Sequence, residues 1–227
     1  MTKSRIPKTM TIGGYEYQIK YPYIFRQSDQ LTGLHEPNTL TVKISNMLRN
    51  QKRHWSKIVE TLIHEMVHAV DHVYNAGLLQ EFEIELLGIY IFQILKENEF
   101  DFNKNKQEPN EIKIGPFIYD IKWDFIFEDH DYMPALVDHQ ALIMYINPLD
   151  TNGVPVAYDI RMATLFYLIL LAIANQTVLQ DGFECNEENT TLVAKSMIVS
   201  FANGLYKTIK DNNFVKLTKT NKDFGGN

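Results

Sequence analysis

The chain repeats itself, and this repeat constrains its fold more than any other feature. The stretch from Ile12 to Lys20 recurs from Ile114 to Lys122, with glycine at the second position and alternating apolar residues in both copies. The same spacing continues without a gap through four further matches: Ile24/Ile126, Phe25/Phe127, Leu34/Leu136 and Leu40/Leu142. An ungapped match of this length indicates a duplicated unit.

A second match lies further along each copy. Lys96–Phe100 aligns with Lys210–Phe214, at a wider spacing than the first match. The second copy therefore has an insertion, which we place in the polar stretch 180–189 and predict to be a loop. A second polar stretch, 103–110, is predicted to link the copies. The domains predicted from the repeat are residues 1–105, which would be catalytic, and residues 106–227.

Each copy is predicted to contain a small antiparallel sheet followed by two helices. The chain would then be an α+β protein made of two tandem pseudo-repeats. Apolar residues alternate at Tyr15, Tyr17 and Ile19, as they do in a half-buried strand. They recur at helical spacing over about 56–74 and again over about 79–97, which predicts the two helices of the first copy.

The first of these predicted helices carries an HExxH motif, His64-Glu65-Met66-Val67-His68. Histidines four residues apart lie on one face of a helix, so both imidazoles can reach a single ion. Zinc accepts such nitrogens, and Glu65 would lie beside a zinc-bound water as its general base. His64 and His68 are therefore candidate ligands of Zn2+, and Glu65 is the candidate catalytic residue.

A catalytic zinc site of this kind needs a third protein ligand and one open position. No third histidine follows the motif at the spacing that another class of zinc peptidase uses. The next predicted helix offers three carboxylates instead, at Glu81, Glu83 and Glu85. Their spacing alone does not choose among them.

The motif and the run Glu81–Glu85 together resemble the gluzincin metallopeptidases, in which a glutamate on the following helix completes the site. Residues 11–100 are also similar to small phage and prophage metallopeptidases of the ImmA/IrrE group, in particular at His68–Asp71 and Lys96–Asn98. The resemblance implies Glu81 as the third zinc ligand, with Glu85 as the alternative. It also implies zinc-dependent hydrolysis of a protein or peptide substrate.

The second copy has lost every residue of this site. The five positions that match His64, Glu65, His68, Glu81 and Glu85 hold Tyr167, Leu168, Leu171, Lys195 and Val199. The stretch Thr164–Ile173 is apolar on every face, as is typical of a buried helix. We expect a degenerate copy without catalytic function that packs on the first as an intramolecular pseudo-dimer.

Other polar residues are weaker candidates. His35 and Glu36 precede a predicted strand and could border the cleft, although a surface position in a loop is the expectation. His72 is expected to be exposed, and Asp71 is either solvated or accepts a hydrogen bond from a ligating imidazole. Three further candidates have no neighbour at ligand spacing: His130, His139 and Cys185.

Composition limits the partners of the chain. A net charge of -6 without a basic stripe disfavours nucleic acid. The single cysteine excludes an internal disulfide and a cysteine-rich zinc site. The apolar run 165–173 is too short to span a bilayer, and no signal peptide is recognisable, so we expect a cytoplasmic protein without a membrane partner. The alternative function is a phage-type binding or scaffold protein whose zinc site is structural or vestigial.

Overall fold

The computed structural model describes residues 6–98, 100, 102, 108–127, 133–177 and 192–219, with the side chains of 192–195 and 219 left aside. The loop predicted at 180–189 lies outside the described residues. The same holds for most of the predicted linker and for His130 and Cys185.

The chain has a mixed α+β fold with small sheets and five helices, which confirms the predicted class. The part before residue 98 contains six strands and two helices: β1 Thr9–Ile12, β2 Tyr15–Lys20, β3 Gly33–Glu36, β4 Thr41–Ile44, β5 Met47–Leu48, β6 Gln51–Lys52, α1 Trp55–Tyr74 and α2 Glu81–Glu97. The part after it contains four strands and three helices: β7 Glu111–Ile114, β8 Phe117–Lys122, β9 Ala135–Asp138, β10 Ile143–Ile146, α3 Tyr158–Gln176, α4 Leu192–Asn212 and α5 Phe214–Lys219.

The two four-stranded sheets have the same strand order, β1-β2-β4-β3 and β7-β8-β10-β9. Both are mixed, so the prediction of antiparallel sheets was wrong for one pair in each. The central pairs β2/β4 and β8/β10 are parallel, while the outer pairs are antiparallel. The reason is the connection: β3 forms the outer edge first, and the chain then turns back so that β4 lies between β3 and β2. Leu40 and Leu142 precede β4 and β10 with left-handed φ angles of 46° and 55°.

Alternation in the strands determines which side chains enter the core. Tyr17 and Ile19 of β2 are buried while their neighbours are exposed, and Tyr119 and Ile121 of β8 repeat the pattern. These pairs stand at matching positions of the sequence repeat. The sheets therefore each have one apolar face, against which the helices can pack.

Helix α3 is buried over successive residues, as predicted from its composition. Phe166, Leu168, Ile169 and Leu170 are each at most 2% exposed. Among the described residues, α3 is also the one helix long and apolar enough to cross a membrane by length and composition. Half of its apolar window is buried inside the structure, and core helices of other proteins pass the same test.

The backbone divides into two compact units. Unit 1 contains the residues up to Lys96 together with those from Lys207 onward, and unit 2 contains Glu97–Tyr206. The segment from Lys207 is thus part of unit 1, although it is the last part of the second predicted repeat. The assignment of functional domains to 1–105 and 106–227 stays a prediction.

Candidate metal centre

Two turns of α1 and the first residue of α2 form a cluster of three possible ligands. His64 and His68 present their Nε2 atoms on one face of α1, and the Glu81 carboxylate lies 3.2 Å from each, through Oε1 and Oε2 respectively. The three ligand atoms lie within 4.8 Å of one another. Burial, and then the neighbouring His64, lower the pKa of His68 and favour its neutral form, which is the form that binds metal. The group could hold a metal ion.

The connection between α1 and α2 positions Glu81. Asp71 is 3% exposed and accepts hydrogen bonds from Asn75 Nδ2 (2.9 Å) and from the backbone N–H of Leu79 (3.3 Å). Asp71 therefore fixes the loop that leads to Glu81. The burial of Asp71 makes the solvated alternative wrong, while the hydrogen bond from a ligating imidazole stays a prediction.

Gly88 lets α2 approach α1 closely. A Cβ atom added at this position would lie 3.2 Å from the Cα of His64, which is closer than side chains normally come to backbone. The helices can therefore touch beside the first histidine, and this contact keeps the start of α2 near the motif. Glu85, one turn after Glu81, lines the same cleft but is not one of the three clustered residues.

Glu65 faces away from solvent, between α1 and β3. It is 5% exposed, and its burial, followed by the nearby Glu81, raises its pKa to about 8. The backbone N–H of His35 donates to the carboxylate and opposes this shift. Gly33 leaves the space that the carboxylate occupies, since a Cβ there would overlap Glu65 Oε1 and approach Thr61 Cγ2 to 2.6 Å.

His35 lies in β3 and contacts the site, contrary to the expected position in a surface loop. Its ring stacks near His68, with centroids 6.3 Å apart, and lies 6.0 Å from the ring of the exposed His72. Burial, then His68 and His72, lower the pKa of His35 to about 4, so the ring is neutral near pH 7. The position of His35 could have been found from the alternation of side chains along a strand, which places Gly33 and His35 on the same face. Glu36, on the other face, pairs with Lys43 at 2.6 Å.

A cleft of about 840 Å³ leads to the cluster. Its lining includes the three candidate ligands and Glu65, together with apolar side chains of Leu31, Leu34, Leu48 and Ile89. The cleft lies within unit 1, between β3, the hairpin β5–β6, α1 and the outer face of α2. This volume lies within the range of about 300–1,000 Å³ that is typical of ligand-binding clefts.

The matching positions of the second copy contain no comparable group. Leu168 is fully buried, Tyr167 and Leu171 are partly buried, and Val199 is 42% exposed. The side chain of Lys195 lies outside the described part of the chain. His139 packs beside Tyr119, with ring centroids 6.4 Å apart, and belongs to no ligand group among the described residues.

Replacing Gly33 with alanine is expected to reduce any activity that depends on Glu65 by about tenfold or more, because the new methyl group would displace the carboxylate. A shift of roughly 1 Å at a reacting group can cost about 100-fold. Metal content should stay unchanged, because the atoms nearest to the added methyl group belong to Glu65 and Thr61 and not to the three ligands. Glu36→Ala, on the other face of the same strand and outside the cleft lining, is the control. Equal activity in Gly33→Ala and Glu36→Ala would show that the space at Gly33 is not needed.

No protein-family model matches the chain, and neither a curated protein nor a solved structure does. The function of the site is therefore argued from its own residues. They provide two imidazole nitrogens and one carboxylate oxygen for an ion, with a buried carboxyl group next to them.

Proposed function

We propose that the chain is a zinc-dependent peptidase whose site is formed by His64, His68, Glu81 and Glu65. One observation supports this above all: a buried carboxyl group that is not itself a ligand lies beside a group of three possible ligands. Two imidazoles and a carboxylate are the donor set of several catalytic zinc sites, in which a fourth position stays open. Among the described residues, no fourth side chain joins the group.

When bound, zinc would acidify a water molecule and polarise the scissile carbonyl group. Glu65 would accept a proton from the attacking water as its oxygen bonds to the carbonyl carbon, and would return that proton to the amide nitrogen as the C–N bond breaks. The N–H of His35 holds the carboxylate in place during both transfers. Leu31, Leu34 and Leu48 keep apolar surface along the cleft, where they can contact the side chains of a peptide.

The burial of Glu65 makes its role dependent on the metal. Without an ion, a pKa of about 8 leaves this carboxyl group mostly protonated at neutral pH. A divalent cation at the three ligands favours the ionised form, because opposite charges at short range lower the pKa of a carboxyl group. Glu65 therefore becomes a base when the metal is bound.

The sequence repeat forms part of this proposal. The shared strand order, the paired burial of Tyr17/Ile19 and Tyr119/Ile121 and the left-handed residues before β4 and β10 support a duplication. In this proposal, the first copy hydrolyses the substrate. The second copy has apolar residues in place of the site and packs as the other half of a pseudo-dimer. A cytoplasmic location and a phage origin stay predictions from the sequence.

The rival function is binding or scaffolding with a structural zinc site. A structural site has four protein ligands and no need of a general base. Glu65 is buried beside the three ligands with a raised pKa, as a general base would be, and this favours the peptidase over a structural site. Zinc binding without any hydrolysis would favour the rival.

Elemental analysis of the purified protein is expected to give about one zinc per chain. Glu81→Ala should weaken zinc binding by at least about 100-fold, beyond the 10- to 100-fold typical of residues around a ligand. Glu85→Ala, one turn further on the same helix, is the matched control and should change the dissociation constant little. The reverse order of the two variants would assign the third ligand to Glu85.

Hydrolysis itself can be measured with a library of quenched fluorescent peptides. Activity should disappear with a chelator and return with zinc, in step with the metal content. If the zinc-loaded protein cleaves none of the peptides and also fails to cleave unfolded casein, peptide hydrolysis is the wrong function for this site.

A further inference from the structure

Two asparagines bind the exposed edges of two strands in the same way. In unit 1, Asn212 Oδ1 accepts from the backbone N–H of Thr11 (2.8 Å), and Asn212 Nδ2 donates to the Thr11 carbonyl (2.9 Å). In unit 2, Asn98 Oδ1 accepts from the N–H of Lys113 (2.7 Å), and Asn98 Nδ2 donates to the Lys113 carbonyl (2.9 Å). Each side-chain amide thus satisfies both polar groups of one strand residue.

The strands bound in this way are β1 and β7, which lie at the edges of their sheets. An edge strand presents N–H and C=O groups that have no partner within the sheet. A side-chain amide that takes one N–H and one C=O reproduces the paired bonds of a neighbouring antiparallel strand. Each asparagine side chain therefore takes the place that a peptide group of a further strand would have at the edge of the sheet.

The pairs are crossed with respect to the sequence repeat. Asn98 matches Asn212, and Thr11 matches Lys113, in the alignment of the two copies. Yet Asn98, from the first copy, binds a strand of the second, and Asn212, from the second copy, binds a strand of the first. The compact units follow the same exchange, since unit 2 begins at Glu97 and unit 1 takes in the chain from Lys207.

Phenylalanines two residues after the asparagines are buried in the same crossed manner. Phe214 is fully buried in unit 1. Phe100 is 7% exposed in unit 2, where its ring lies 6.0 Å from that of Phe166. The matched Asn-x-Phe segments therefore each combine a polar clamp on an edge strand with an apolar anchor.

The exchanged segment of unit 1 also reaches the helices of the metal centre. Thr218 Oγ1 donates to the carbonyl of Leu95 at 3.0 Å, near the end of α2. Helix α5 contacts α1, which carries His64 and His68. Residues 207–219 thus support the two helices that supply the candidate ligands.

We infer that the edge of each sheet is a docking surface for the Asn-x-Phe segment of the other repeat, and that residues 207–219 complete the unit with the metal centre. This inference rests on the duplication proposed above and on no step of the zinc chemistry. A chain with a single repeat of this kind would need a second copy of itself, which would supply the missing segment by mutual exchange. In the present chain, the duplication provides that partner within one molecule.

Hydrogen exchange of the full-length chain, read residue by residue by NMR, tests the crossing. Asn212→Ala should accelerate exchange of the Thr11 amide about fivefold or more, as expected from the loss of one hydrogen bond. Asn98→Ala is the matched control. It should accelerate exchange of the Lys113 amide and leave the exchange rates of β1 unchanged. The measurement needs no zinc and no substrate, so its failure is distinct from failure of the peptidase proposal.

The inference is overturned if Asn212→Ala leaves Thr11 protected, or if it perturbs β7 in place of β1. Asn212→Asp serves where the alanine variant does not fold. It keeps an oxygen acceptor for the Thr11 N–H and removes the donor to the carbonyls of Thr11 and Thr208. Thr11 should then stay more protected than in Asn212→Ala, and equal exchange in the two variants would contradict the clamp.

Discussion

Glu65→Gln is expected to lower the rate of peptide hydrolysis by about 100- to 10,000-fold, the usual contribution of a general base. The amide cannot accept the proton of the attacking water. It can still accept the hydrogen bond from the His35 N–H that the carboxylate accepts now. Zinc content should remain near one per chain, because Glu65 is not one of the three clustered residues.

The fold should tolerate this substitution. The site already raises the pKa of Glu65 to about 8, so it favours a neutral group of this shape. Glu16→Gln in β2 is the matched control, since Glu16 is exposed and lies outside the cleft lining. Rates, zinc content and urea unfolding should be compared for the two variants. Unchanged hydrolysis in Glu65→Gln would remove the proposed base, and lost zinc would make Glu65 a ligand.

The helical part of this site could be predicted from the sequence because helical geometry is local. The period of apolar residues placed the first helix at about 56–74, and the structure has it at Trp55–Tyr74. Two histidines four apart must then share a face, whatever surrounds them. Burial of α3 was equally predictable, since its apolar residues face every direction and can be covered only in a core.

The other half of the site depends on which strand lies beside α1, and spacing along the sequence does not contain that information. The parallel pair β2/β4 arises from a return of the chain after β3, and β3 lies against α1 in the resulting sheet. Gly33 and His35 reach Glu65 only through this contact. The contact between Asn212 and Thr11 joins residues 201 positions apart, which no local pattern reveals.

Leu168→Asp is expected to destabilise the protein by about 4 kcal/mol, in the upper range for single substitutions. Leu168 stands at the position that matches Glu65 and is fully buried in the middle of α3. The change removes buried apolar volume and places a carboxylate at a fully buried position. Both effects are costly, since buried leucine truncations alone cost about 2–5 kcal/mol and an unpaired buried charge adds to that.

Ile160→Asp in the same helix is the matched control. Ile160 is 60% exposed and lies in the first turn of α3, where a negative charge interacts favourably with the helix dipole, so its effect should stay below about 1 kcal/mol. Urea unfolding can be followed separately in the two units with single-tryptophan variants, because Trp55 lies in unit 1 and Trp123 in unit 2 and the chain has no other tryptophan. If the copies form a pseudo-dimer with exchanged segments, Leu168→Asp should lower the midpoint at both tryptophans and weaken zinc binding. A shift confined to Trp123, with zinc binding intact, would instead make the second copy an independent module and contradict the pseudo-dimer.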